Sequence, residues 1–336
     1  MATLADIAQQ AGVSEATVSR VLNDKPGVSD AARQAVLTAL DVLGYERPAR
    51  LRRRSAGLVG LVVPELENPI FPAFAQVIEG GLARRRFTPV LCTQSPGSIS
   101  EDEYVESLLD HGVAGIIFVS GRHADATGDH DRYRSLIDRG MPVVFINGYV
   151  AGIDAPFLST DDYSAMQVAV SHLAQLGHTR IGFAAGPERY MPSRRKREGF
   201  LDALRSHGLI QNGDASWIEE GLYTVEGGAA AARALLERGA TAIVCGSDLM
   251  ALGAVHAARE GGWDVPGDVS VVGFDDSTLM QFLDPPLTTI RQPVQALGAA
   301  AVSHIVDAIQ GTPVPSREYL YKPELVLRGS TGPAPS

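Results

Sequence analysis

Two short segments near the N-terminus could place polar side chains against the edges of DNA bases. Between Leu4 and Asn23, apolar residues recur at helical spacing on both sides of Gly12, which can turn the chain without a Cβ penalty. Ser14 is a candidate N-cap for the second segment. The outward-facing side chains of that segment are Glu15, Ala16, Thr17, Ser19 and Arg20. This pattern is typical of a helix-turn-helix, whose second helix reads bases in the major groove.

An ordinary helical hairpin would show the same apolar stripe, so the next segment matters. A third helical pattern begins at Ser29 and runs to Leu43 with apolar residues again spaced for burial. Three such helices can enclose one small core. The sequence therefore predicts a small all-α domain at the N-terminus.

The run from Leu4 to Tyr45, with VSEATVSRVLN and PGVSDAARQAVLTALDVLGY, resembles the headpiece of the lac repressor and galactose repressor family of bacterial transcription regulators. The resemblance implies that residues 1–46 form a DNA-binding headpiece, with residues 15, 16 and 20 at base edges. The DNA-contacting residues it implies in this headpiece are Thr3, Ser14, Glu15, Ala16, Thr17, Ser19, Arg20, Asn23, Val28 and Tyr45.

Residues 47–56 read as a linker, because five arginines crowd positions 47–54 beside Pro48. A solvated tether would have this composition too, since like charges repel one another without a polyanion nearby. In the resembled family the linker folds into a hinge helix on operator DNA and a leucine wedges into the minor groove. Arg50 and Leu51 are the corresponding candidates, although this linker is shorter and richer in arginine than the usual hinge.

Charge is divided unevenly along the 336 residues. Residues 1–54 carry eight Lys and Arg against six Asp and Glu, a net +2, so the remainder carries −12 of the total −10. Only the N-terminal part is suited to contact phosphates. The length and the 45% hydrophobic content predict at least two domains with a sizeable core.

No feature of the sequence points to a cofactor, a metal or a membrane. Cys92 and Cys245 lie in apolar runs far apart, which favours buried reduced thiols. The N-terminus has neither a basic start nor an apolar core of a signal peptide, and no apolar run approaches the roughly 18 residues of a membrane helix. We therefore expect a cytoplasmic protein.

From Gly57 onward, short apolar runs alternate with amphipathic helices, which predicts an α/β core of two doubly wound parallel sheets. Ligands of such sheets bind at the carboxyl ends of the strands. The segments LGHTRIGFAAGP, SDLMALGAV, DVPGDVSVVGFDDS and DPPLTTIRQP extend the family resemblance over nearly the whole chain and imply a core like that of periplasmic binding proteins. Residues 57–336 would form this effector-binding and dimerisation core. The expected lobes are about 57–159 with 290–315, and about 160–289 with 316–330.

Strand ends and family position together select eight candidate effector-binding residues, which are Phe71, Asn147, Asp161, Lys196, Tyr223, Ser247, Asp248 and Asp275. Phe71 could equally pack at a helix start, and Asp161 could merely cap a helix. Many relatives have an arginine where this chain has Lys196, and an ammonium does not reproduce a planar bidentate fork. Either the ligand geometry at that point differs from the family's, or a neighbouring arginine takes this role.

The resemblance implies a transcriptional repressor of sugar-utilisation genes that binds a palindromic operator as a homodimer. Tetrameric relatives append a heptad helix, whereas RGSTGPAPS at the C-terminus is incompatible with one. Within the family the closest resemblance is to maltose-operon repressors of actinomycete type, so maltose or a related glucoside is the expected effector. A nucleoside or another metabolite is the alternative ligand.

Other classes of protein fit less well. A sugar-binding transport receptor would need an export signal. A nicotinamide dehydrogenase would need a glycine fingerprint after its first strand, where this chain has PELENPIF. The histidines show no metal-ligand spacing, and adjacent Asp275 and Asp276 would point apart rather than form a glycosidase pair. We expect no enzymatic activity.

Overall fold

The computed structural model describes residues 3–23, 25–45, 55–94, 99–211 and 215–335. The chain divides into two compact units, Met1–Ala56 and Gly57–Ser336. Each unit encloses hydrophobic cores of its own.

The described residues of the first unit form three helices, α1 (Leu4–Ala11), α2 (Glu15–Leu22) and α3 (Asp30–Val42). Their shared core consists of Ile7, Ala8, Val18, Val21, Leu22, Val36, Ala39 and Leu40. Leu4 was expected on the buried face of α1 but is 41% exposed, because it begins the helix and burial starts one turn later. Serine caps at Ser14 and Ser29 set the starts of α2 and α3.

The described residues of the second unit form twelve strands and eight α-helices. The strands are β1 (Gly57–Val63), β2 (Phe87–Thr93), β3 (Gly115–Val119), β4 (Val143–Ile146), β5 (Phe157–Thr160), β6 (Ile181–Ala185), β7 (Ile218–Glu220), β8 (Ala242–Cys245), β9 (Ser270–Asp275), β10 (Thr288–Arg291), β11 (Glu318–Tyr321) and β12 (Glu324–Val326). The helices are α4 (Ile70–Arg84), α5 (Glu101–Asp110), α6 (Asp131–Asp138), α7 (Asp162–Gln175), α8 (Met191–Ser206), α9 (Val225–Glu237), α10 (Asp248–Glu260) and α11 (Val294–Ile309).

The strands form two six-stranded sheets, in the orders β11-β5-β4-β3-β1-β2 and β12-β10-β9-β8-β6-β7. All pairs are parallel except β10 with β12, which is antiparallel. The expected doubly wound α/β architecture is confirmed, with this one antiparallel edge as a difference. Helices α4 and α11 cover one face of the first sheet, and α5 and α6 cover the other. In the second sheet α7 and α8 lie on one face and α9 and α10 on the other.

The chain passes between the two sheets at three places. Strand β5 of the first sheet leads into α7 of the second lobe, and β10 of the second sheet leads back into α11 of the first. Strand β11 belongs to the first sheet and β12 to the second. This path differs from the expected limits of about 290–315 and about 316–330, because β10 stays in the second lobe and the returning segment continues through β11. Both strands are short and partly polar, so hydrophobicity alone did not assign them to a sheet.

Across the described ranges, no helix combines the length and apolar character that a membrane span would require.

Candidate DNA-reading helix and effector cleft

Helix α2 presents a polar face to solvent because its apolar stripe is buried in the three-helix core. Ser14 accepts a hydrogen bond from the backbone N–H of Thr17, as expected for the N-cap. Glu15, Ala16 and Arg20 are exposed, and Thr17 is half-buried. The Arg20 guanidinium lies close to Gly27 in the turn that follows the helix. This exposed face can meet base edges in a major groove.

The other candidate DNA contacts lie around this face, and some of them already form hydrogen bonds within the headpiece. Thr3 forms a capping box with Asp6 at the start of α1. The side-chain amide of Asn23 donates to the Ser19 carbonyl and closes α2. Val28 is half-buried against the headpiece core, whereas Tyr45 is 37% exposed. Arg50 and Leu51 lie outside the described residues, so their assignment stays a prediction.

In the second lobe, two of the candidate effector residues, Lys196 of α8 and Tyr223, come together near the end of β8. Lys196 is 5% exposed, and its ammonium donates to the Gly246 carbonyl at 3.1 Å after β8. The same ammonium lies 3.5 Å above the Phe274 ring and 5.9 Å from the Tyr223 ring. Tyr223 is hydrogen-bonded to Ser193 of α8 at 2.6 Å. Tyr223 also packs so closely on Gly186 that no Cβ fits there.

Asp162 completes this cluster, although sequence reasoning selected its neighbour Asp161. The Asp162 carboxylate is buried and lies 3.6 Å from the Lys196 ammonium. Burial raises the pKa of Asp162 to about 6, against the opposing attraction of Lys196. Burial alone would lower the pKa of Lys196, but the charges of Tyr223, Asp162 and Asp275 outweigh it and raise that pKa. Lys196 is thus held as a buried cation.

Asp161 has the capping role that was its alternative interpretation. Its carboxylate accepts from the backbone N–H of Ser164 at 3.0 Å, at the start of α7. This hydrogen bond commits Oδ1 of Asp161 to the helix. Its role in effector binding stays a prediction.

Asp275 ends β9 and connects to both lobes through one glutamine that sequence reasoning missed. The amide nitrogen of Gln292 donates to Asp275 Oδ1 at 2.6 Å, and the amide oxygen of Gln292 accepts from the Thr160 hydroxyl at 2.8 Å. Thr160 belongs to the first sheet and Asp275 to the second. Burial and the nearby Asp248 raise the pKa of Asp275 well above its usual range, with Lys196 opposing them. The position of Gln292 at the end of a strand was the signal in the sequence.

Ser247 and Asp248 follow β8, as predicted, but both are engaged within the fold. Ser247 caps α10 by accepting from the backbone N–H of Met250. Asp248 accepts from the Thr289 hydroxyl at 2.6 Å and from the backbone N–H of Ser277 at 2.7 Å. Gly273 leaves room for this carboxylate, since a Cβ there would lie 2.5 Å from Asp248 Oδ1. Burial raises the pKa of Asp248 to about 6.

The two candidate effector residues of the first lobe, Asn147 and Phe71, differ in their surroundings. Asn147 directly follows β4 with a φ of +60°, and the His123 ring Nε2–H donates to its carbonyl at 2.5 Å. Its amide donates to Ser120, while its Oδ1 is buried without a hydrogen-bond partner in the described parts of the chain. Because this oxygen is buried, the role of Asn147 in effector binding stays a prediction. Phe71, the second residue of α4, is half-buried and packs against the core of the first lobe, and its role as an effector contact stays a prediction.

A cleft of about 550 Å³ opens between the two lobes. It is bounded by the start of α4, the turn after β9 and the segment that joins β10 to α11. Of the eight candidate effector residues, only Asp275 lines it. The Lys196 cluster and Asn147 lie outside its lining.

The lobes also contact one another directly on two sides. Beside Asp125, which follows β3, the backbone of Tyr190 forms an antiparallel bridge, and the Arg189 guanidinium lies 3.6 Å from the Asp125 carboxylate. Elsewhere Arg195 of α8 donates two hydrogen bonds to Glu318 of β11, at 2.6 and 2.8 Å. These contacts hold the two lobes in a closed arrangement.

Among the residues described, no group of three or more His, Cys, Asp or Glu side chains is arranged to hold a metal ion. The cleft offers carboxylate, amide and hydroxyl groups, which suit the hydroxyl groups of a small polar ligand.

The fold and the exposed helix match known proteins over the whole chain. Residues 3–48 match the model of bacterial regulatory proteins of the lacI family, and residues 170–331 match the periplasmic binding protein-like domain. The transcriptional regulator MalR of Streptomyces coelicolor is 60% identical over 99% of this chain and 97% of its own.

Two solved structures share the architecture. One is the transcriptional regulator CelR in complex with cellobiose, with a TM-score of 0.72, 30% identity and coverage of 98% of this chain and 100% of that one. The other is the lac repressor dimer bound to operator and the anti-inducer ONPF, with a TM-score of 0.71, 28% identity and coverage of 98% and 99%.

A helix-turn-helix headpiece joined to a two-lobed binding core defines a DNA-binding transcriptional regulator. The chain belongs to the lacI family of bacterial regulatory proteins. Its relatives are transcriptional regulators and not enzymes, in agreement with the expected absence of enzymatic activity.

Proposed function

We propose that this regulator represses sugar-utilisation genes and is released from a palindromic operator by a small carbohydrate, with maltose or a related glucoside as the effector. One headpiece reads only a few base pairs, so a homodimer on a two-fold site supplies the remaining specificity. The operator-bound dimer of the related lac repressor supports this assembly. The protein acts in the cytoplasm, where the operator DNA is.

The observation that carries the effector assignment is the chain of hydrogen bonds from Asp275 through Gln292 to Thr160. It places a buried carboxylate at a strand end beside an interlobe cleft. Carboxylate oxygens suit paired sugar hydroxyls, and a ligand seated there would contact both lobes. The related regulator that was solved with cellobiose supports a carbohydrate in the corresponding core.

The proposed sign of the response is induction. A sugar that binds between the lobes favours one relative orientation of the lobes. The linkers of the dimer transmit that orientation to the headpieces. Ligand binding then weakens operator binding by the same factor by which the operator weakens ligand binding.

Two titrations of the full chain test the proposal. Calorimetry against maltose, cellobiose, ribose and cytidine identifies the ligand, and fluorescence anisotropy on the DNA upstream of the neighbouring sugar genes measures operator binding across salt concentrations. We expect maltose to bind and to weaken operator binding. Binding of cytidine alone would replace the carbohydrate by a nucleoside, and a sugar that tightens operator binding would contradict induction.

A further inference from the structure

The turn that ends β9 has an unusual backbone. Asp275 and Asp276 both have positive φ, +124° and +59°, although neither is glycine. Such conformations are costly for residues with a Cβ and persist only where the surroundings hold them. The turn therefore needs partners that keep it in place.

Asp276 is held by two arginines. Its carboxylate accepts from Arg291 Nε at 2.7 Å and from Arg328 Nη2 at 2.6 Å. Asp276 and Arg328 have side chains that are only 8% and 16% exposed, whereas that of Arg291 is 47% exposed. Because charge-assisted hydrogen bonds strengthen out of water, Arg328 is the stronger of the two constraints.

Arg328 is itself fixed by a segment that we call the C-terminal strap, residues 328–332. Its second nitrogen, Nη1, donates to the Leu287 carbonyl at 2.8 Å, and its backbone N–H donates to the Thr288 hydroxyl at 2.9 Å. Two residues on, the buried Ser330 hydroxyl accepts from the Thr288 N–H and donates to the Val271 carbonyl. The strap thus runs along the second sheet and places the guanidinium of Arg328 against the Asp276 carboxylate.

The constraint on Asp276 reaches Asp275 through the pairing of neighbouring strands. Arg291 lies beside Asp275 in the register of β9 and β10, and the next residue, Gln292, donates to Asp275. Asp276 is therefore bound to the strap and to β10, while Asp275 is bound to the interlobe connection. Rotation of either peptide would break both sets of hydrogen bonds.

We propose that Arg328 is a positioning residue for effector binding: by holding Asp276 it orients the Asp275 carboxylate toward the interlobe cleft. This inference rests on the proposed function, since it takes Asp275 as the effector contact. Arg328 does not line the cleft, so its effect on the ligand passes through the turn.

The test compares full-chain Arg328→Gln and Asp276→Asn with Thr331→Val. Thr331 lies on the same strap and bonds to His172 and Thr288 but not to Asp276, so Thr331→Val controls for loosening of the strap. Hydrogen exchange of residues 273–279, measured by mass spectrometry, reports the turn without any ligand. Calorimetry measures the affinity for maltose, which depends on the orientation of the Asp275 carboxylate. Thermal unfolding measures the stability of the fold.

We expect at least tenfold faster exchange of the turn and at least tenfold weaker maltose binding in Arg328→Gln and Asp276→Asn. The double variant should lose no more than Asp276→Asn alone, because Asp276→Asn already removes the charged pair with Arg328. Thr331→Val should keep maltose affinity within twofold even if its Tm falls equally. Arg328→Lys keeps the charge without the fork, so its loss should be intermediate.

Unchanged exchange in Arg328→Gln would overturn the positioning role, and faster exchange with normal maltose binding would overturn the link to the effector. If the wild type binds none of the four ligands of the calorimetric panel, the proposed function fails and takes the effector link with it. Hydrogen exchange then still decides whether Arg328 positions the turn.

Discussion

Arg20 is the exposed cation on the outer face of α2, and its guanidinium can bond guanine in a bidentate way. We expect Arg20→Ala to weaken binding to the true operator by about 1–3 kcal/mol while barely changing binding to random DNA. Anisotropy on both DNAs measures this. Lys25→Ala removes a neighbouring exposed cation, so it should lower both affinities alike. An equal loss on both DNAs from Arg20→Ala would remove Arg20 from the base-reading set.

Asp248 gives stability a dependence on pH whose sign can be worked out. Burial raises its pKa from 3.8 to about 6. The folded state therefore binds the proton more tightly than the unfolded state, and stability falls as pH rises from about 4 to about 6. An uncharged Asp248→Asn variant lacks this contribution.

Urea unfolding of wild type and Asp248→Asn at pH 4, 5, 6 and 7 tests this dependence. The stability of the wild type relative to the variant should be greatest at pH 4 and level off above pH 6. A relative stability that increases with pH would contradict the raised pKa.

At the scale of elements, the pair between Arg195 of α8 and Glu318 of β11 joins the two lobes. It is bidentate and its side chains are only 23% and 15% exposed, so it should stabilise the closed arrangement by about 1 kcal/mol. We expect Glu318→Gln to weaken sugar binding about fivefold, because closure then costs more. Calorimetry measures the change. Glu260→Gln breaks an exposed pair with Arg233 inside one lobe and should leave sugar affinity unaltered.

Local patterns predicted many elements because the residues that form them are neighbours in sequence. The predicted N-cap Ser14 starts α2, and the helical pattern predicted from Ser29 is α3. Short polar strands such as β10 and β11 were missed because their stability comes from pairing with β9 and β5, which are remote in sequence. Sequence spacing carries little information about such partners.

The candidate site likewise contains residues that the sequence predicted and residues that it did not. Asp275 and Lys196 were predicted from strand ends and family position, and the fold brings both close to Asp162. The connecting roles of Gln292 and Glu318 were not predicted, because their partners lie 132 and 123 residues away along the chain. Asp248 was placed correctly at its strand end, but its engagement with Thr289 and Ser277 required the folded geometry.

At the scale of the whole molecule, the acidic core and the headpiece with its arginine-rich linker have different partners. The net charge of +2 in residues 1–54 against −12 in the remainder keeps DNA binding at one end. We expect a dimer in sedimentation of the full chain, and two headpieces per palindromic operator in a stoichiometric titration. A monomer that saturates a half-site with the same affinity as the full site would contradict the two-fold assembly.

The central claim is that a ligand bound at Asp275 controls how strongly the headpiece, in another part of the chain, binds operator DNA. Operator anisotropy of wild type and Asp275→Ala, with and without saturating maltose, tests it most directly. We expect maltose to weaken operator binding of the wild type by about 1–3 kcal/mol. Asp275→Ala should bind the operator comparably without sugar and stay bound when sugar is added. An Asp275→Ala protein that folds but either loses the operator or releases it normally with maltose would contradict the account.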